Sequence, residues 1–65
     1  MQLRGQSSKS LIKLIEADGW FHVHTKGDHW QFKHHTKPGR VTIPHPEKDL
    51  PIKTIVSILK QAGLK

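Results

Sequence analysis

The groups in this chain that could do chemistry are its six histidines, set among eleven Lys and Arg in 65 residues. Imidazole titrates near neutrality, so it can take and return a proton, and it also ligates transition metals. His29 follows Gly27 at the mouth of a polar–apolar alternation, and Lys26, Lys33 and Arg40 are candidate neighbours. These residue types suit RNA cleavage without a metal. A general base removes the ribose 2′-OH proton, the oxygen attacks the adjacent phosphorus, and an acid protonates the leaving 5′-oxygen. Lys and Arg would hold the phosphate and offset the charge that grows in the transition state. By residue type alone, His29 also fits an ordinary surface position.

Other chemistries have weaker support. His22-x-His24 and His34-His35 make a transition-metal site conceivable, but no three-ligand signature with a carboxylate at fixed spacing is present. Glu16 and Asp18 close a helical segment, and Glu47 and Asp49 precede another, where capping and dipole effects account for them. There is no serine-centred nucleophile motif and no glycine-rich phosphate loop. With no cysteine, a disulfide framework, a thiol nucleophile and a thiolate zinc site are all excluded, which fits a reducing cytoplasm. No apolar run exceeds two residues, so no membrane-spanning helix is expected, and Met1–Gln6 lacks the apolar stretch of a signal peptide. The net charge of +6 points to a polyanionic partner, either nucleic acid or an acidic protein, although surplus lysines also serve solubility alone.

These residues must be positioned by very little structure. A chain of this length makes one domain, residues 1–65, and needs most of its apolar side chains for folding, which leaves no room for a deep enclosed pocket. From Ser7 to Gly19, serines offer N-caps, Leu11, Ile12, Leu14 and Ile15 form a helical stripe, and Gly19 stops it, with Trp20 folding back over Ile15. A second helix is expected from about Pro51, at its first position, to Ala62. Its stripe is Ile52, Ile55, Val56 and Leu59, and Gly63 and Leu64 close it.

Between the helices the period drops to two. Phe21 and Val23, Trp30 and Phe32, and Val41 and Ile43 alternate with polar residues, separated by short glycine-bearing turns. The expectation is an α+β fold of order α-β-β-β-α, a three-stranded antiparallel meander with both helices on one face. The other face would collect His22, His24, His29, Gln31, Lys33, Arg40 and Thr42. A bulge in any strand would exchange these faces.

Several motifs in order resemble one family over nearly the whole chain. They are Leu11-Ile12-Lys13-Leu14-Ile15-Glu16-Ala17-Asp18-Gly19-Trp20, Lys26-Gly27-Asp28-His29 leading into Gln31-Phe32-Lys33-His34, Lys37-Pro38-Gly39-Arg40-Val41-Thr42-Ile43-Pro44-His45-Pro46, and Leu50-Pro51 with Ile58-Leu59-Lys60-Gln61-Ala62-Gly63-Leu64. The chain resembles the HicA (YcfA-like) toxins of type II toxin–antitoxin systems. The resemblance implies a double-stranded-RNA-binding-like fold and an mRNA interferase that needs no ribosome and is neutralised by a HicB antitoxin; from the residues themselves, no metal or other cofactor is expected. It implies His29 as the catalytic histidine. With the basic-face reading, it makes Lys26, Gln31, Lys33 and Arg40 the RNA contacts, in a cytoplasmic protein that is monomeric when free and hetero-oligomeric with antitoxin. A non-catalytic RNA-binding module is the alternative, and a protein-interaction domain is a third reading. Two positions depart from the family pattern. Asp28 stands where a small residue is usual, adding a carboxylate that attracts a protonated imidazole and repels phosphate. Trp30 stands where a second histidine is common, which removes one proton-transfer group.

Overall fold

The computed structural model describes residues 6–65; residues 1–5, part of the expected single domain and of the stretch read as lacking a signal sequence, lie outside the described residues. The elements run α1 (Ser8–Ala17), β1 (Phe21–Lys26), β2 (His29–Lys33), β3 (Val41–Pro44) and α2 (Ile52–Gln61). The strands pair antiparallel in the order β1-β2-β3, so the α-β-β-β-α meander is as expected. Both helices pack against β3. Among the described residues no helix is long and apolar enough to cross a membrane.

The caps of α1 follow from its sequence. The Ser7 hydroxyl accepts from the Ser10 N–H at 3.1 Å, satisfying one donor of the first turn. At the other end the Gly19 N–H donates to the Glu16 carbonyl (3.0 Å) and the Trp20 N–H to the Ile15 carbonyl (3.1 Å), which requires Gly19 at φ +103°. This turn sends Trp20 into the core, where it is buried. Leu11, Ile12 and Ile15 from α1 meet Phe32, Val41 and Ile43 from the sheet and Ile55, Ile58, Leu59 and Ala62 from α2. Each of the larger side chains contributes on the order of 1.5–3 kcal/mol of apolar burial.

Two expectations for α2 are corrected. Pro51 precedes the first helical residue rather than occupying it, because its ψ of 147° is extended. Its carbonyl accepts the Ile55 N–H at 3.0 Å. Ile52 is 47% exposed and Val56 only half-buried, so the inward stripe is Ile55, Ile58, Leu59 and Ala62. Leu50, buried just ahead of the helix, supplies the apolar contact at that end.

The larger correction is in β1, where the ladder slips between His22 and His24. Phe21 pairs with Lys33, His22 with Phe32, His24 with Gln31, Thr25 with Trp30, and Lys26 with His29, leaving Val23 unpaired. Directly opposed residues share a face, so His22 joins Phe32 and Trp30 on the helix side and Phe21 joins Lys33 on the other. Phe21 (39%) and Val23 (41%) are therefore exposed and not in the core. The His22 side chain holds the bulge. Its ring stacks on Trp30 at 4.4 Å, and its Nε2–H reaches the His24 carbonyl (3.1 Å) and Thr25 Oγ1 (2.6 Å). A side chain bonding its own backbone across the slip gives that backbone an alternative to regular pairing.

β3 ends the sheet on its far side. The Thr42 N–H donates to Gln61 Oε1 of α2 at 2.9 Å, and Pro44, two residues on, has no N–H to offer.

Lys37, in the β2–β3 connection, ties the two helix ends together. Its Nζ donates to Asp18 Oδ2 (2.5 Å) at the end of α1 and to the Ala62 carbonyl (3.1 Å) at the end of α2. The hydrogen bond from Lys37 holds the Asp18 carboxyl below its ordinary range. A carboxyl lowered by folding contributes stability above about pH 4 that is lost as pH falls through its folded value. Lys37→Met should therefore lower Tm at neutral pH and flatten its decline between about pH 5 and 2. Parallel Tm–pH curves for wild type and variant would refute the assignment.

Candidate functional site

The face of the sheet away from the helices carries the candidate residues in rows. At the β1–β2 turn Lys26 is paired with His29, which pairs in turn with Pro44. Next come His24, Gln31 and Thr42, and then Phe21 and Lys33. The turn depends on Gly27 at φ +60°, the left-handed value that the first position of a type II′ hairpin turn requires. It puts Lys26 and His29 directly opposite each other, with Cβ atoms about 5 Å apart. His29 is open to solvent, its side chain 61% exposed, and Asp28 Oδ1 lies 3.7 Å from its Nε2. An ion pair this exposed is worth little, because water screens it.

The five candidates are not one cluster. Lys26 and His29 form one end, and Arg40 Nη1 donates to Gln31 Oε1 at 2.8 Å in the middle. Lys33 is four residues from His29 along β2, about 13 Å away, so it meets a different phosphate from one held at His29. All five are on the open side, in a line that an extended polyanion can follow. His22, expected on this face, is behind it, and the bulge puts His22 and His24 on opposite faces, which removes the basis for a His22-x-His24 metal pair. Among the described residues no group of three or more His, Cys, Asp or Glu side chains converges. Trp30 is also on the helix side, between His22 at 4.4 Å and His45 at 4.6 Å. It packs there and does not present its ring to the open face.

Sequence reasoning missed Phe21 and His35. Their rings lie 4.8 Å apart beside Lys33. Only the bulge brings Phe21 to this face, and simple alternation hides it. His34, by contrast, is structural. Its Nε2–H donates to the Asp18 carbonyl (2.7 Å) and its Nδ1 accepts the Thr36 and Lys37 N–H groups (3.1 Å each). Two shallow hollows, of about 310 and 410 Å³, are lined by none of the five candidates.

The family model described as the HicA toxin of bacterial toxin–antitoxin systems matches residues 8–64. A solved structure described as a toxin–antitoxin complex from Streptococcus pneumoniae contains a chain 34% identical to this one, with a TM-score of 0.75, covering 89% of this chain and 97% of that one. No curated protein matches.

Proposed function

Because the chain belongs to the HicA toxin family, we propose that it is a metal-independent endoribonuclease acting on mRNA, with His29 as general acid/base. The carrying observation is the exposed His29 held in cross-strand register with Lys26. An imidazole there moves a proton to or from the ribose hydroxyl or the leaving oxygen, and the ammonium opposite offsets charge on the phosphate. Gln31, Lys33 and Arg40 extend the contact along the RNA. A HicB-type antitoxin with an acidic surface would cover this face in the cytoplasm, since a +6 domain attracts an anionic partner and has little room for a separate control site. In this reading the free toxin is monomeric and the neutralised form a hetero-oligomer.

The Asp28 carboxylate, 3.7 Å from His29, favours a second reading, a non-catalytic RNA-binding module, because it repels the phosphate that catalysis needs close by. Purified protein incubated with RNA in EDTA separates the two. Cleavage that persists supports the nuclease, and binding without cleavage supports the module. Activity that vanishes with chelator and returns with a divalent metal would refute metal independence. Lys33→Glu and Arg40→Glu should each weaken RNA binding and reduce the slope of log K against log salt by about one per lost phosphate contact. An unchanged slope would remove that residue from the interface.

A further inference from the structure

We infer that Phe21 and His35 form a nucleobase-stacking subsite, which makes an unpaired RNA segment the substrate of the open face; this rests on the nuclease reading above. Phe21 is an apolar ring on a basic, solvated sheet face, outside the cluster of side chains that forms the core. Phe21 is 39% exposed, its cross-strand partner is Lys33, and its ring lies 4.8 Å from that of His35. Aromatic rings among cations are the combination that holds single-stranded nucleic acid, with the cations on the backbone and the rings under the bases.

The pair is fixed from beneath. Trp20 and His34, the residues just before Phe21 and His35, make an edge-on contact at 5.2 Å inside the molecule. Trp20 is buried, and His34 is bonded through both ring nitrogens. The outer pair therefore follows from the anchored inner pair, and little freedom is lost when a base docks.

Position sets the register. Lys33, and Phe21 beside it, are about 13 Å along β2 from His29, so the stacked base lies outside the two nucleotides that flank the scissile bond. Bases within a duplex are already stacked on each other and cannot reach such a shelf, whereas bases in loops and single strands can.

The test uses the full chain and one cleavable RNA with single abasic replacements along its length. Phe21→Leu should raise KM about tenfold, with the change falling on KM rather than kcat, and Phe21→Tyr should restore it. In wild type, one abasic position outside the scissile pair should cost a similar factor, and Phe21→Leu should erase that penalty. Annealing a complementary strand should suppress cleavage by wild type. Tm should fall by only a few degrees in Phe21→Leu, since the ring is outside the core. Unaltered KM in Phe21→Leu, or equal abasic penalties in both proteins, overturns the subsite and leaves the nuclease reading intact. Unaltered KM with a weakened antitoxin complex also overturns it and gives Phe21 to the protein partner. A wild-type chain that neither binds nor cleaves RNA overturns both.

Discussion

Replacing His29 by alanine should lower RNA cleavage by a factor on the order of 10²–10⁴, the usual contribution of a positioned general acid or base. RNA affinity should change little, because the cations that hold phosphate are on other residues. The antitoxin complex should also survive, since a single exposed imidazole is rarely the dominant anchor of an interface. These three measurements belong together. Loss of cleavage with loss of binding would indicate a disturbed surface, and loss of cleavage alone indicates missing proton transfer. Antitoxin and RNA should compete for the same face. The occlusion argument is refuted if the antitoxin docks on the helices or if both partners bind together.

Gly19→Ala should cost about 3 kcal/mol, because two penalties coincide. The φ of +103° is a region that a side chain makes strained, on the order of 1–3 kcal/mol. An added Cβ would stand 2.7 Å from His34 Nε2, on the bond that nitrogen makes to the Asp18 carbonyl. Displacing the ring frees partly buried donors and acceptors, at a further 1–3 kcal/mol or so. For a domain of this size the sum corresponds to a fall in Tm of roughly 15–20 °C, which thermal melts by circular dichroism would detect. The cause can be divided. With His34→Ala already present, Gly19→Ala should cost only the backbone strain, and the difference measures the clash. A Gly19→Ala protein that melts within a few degrees of wild type would refute the argument.

Most of the fold was legible because local signals agreed with one another. Ser7, Gly19, Gly27 and Gly63 each mark a real boundary, and the change of period from 3.6 to 2 falls where the strands begin. Lys26 and His29 stand opposite each other because only a two-residue turn separates them. The pattern failed in β1. Counting back from Gly27 puts Val23 opposite Phe32 and Phe21 inside, and nothing in the order Phe21-His22-Val23-His24 announces the slip. It arises from His22 finding Trp30, Thr25 and its own backbone in three dimensions, which no periodicity records. The same blindness applies to Lys37. An ammonium joining two helix ends 19 and 25 residues away has no local signature, and it reads as one more surface cation.

The two margins of the sheet are finished in different ways, and this bears on how the protein behaves when crowded. A ribbon of stacked copies needs two complementary open edges on every molecule. Along β3 the Thr42 amide is already engaged by Gln61 and Pro44 has none. Along β1 the slip at Val23 breaks the straight row of donors and acceptors, and His22, His24 and Lys26 stand on it. Copies of the chain therefore have no continuous template on which to add in series. A small, cationic and lean-cored protein can accumulate without templating its own aggregation.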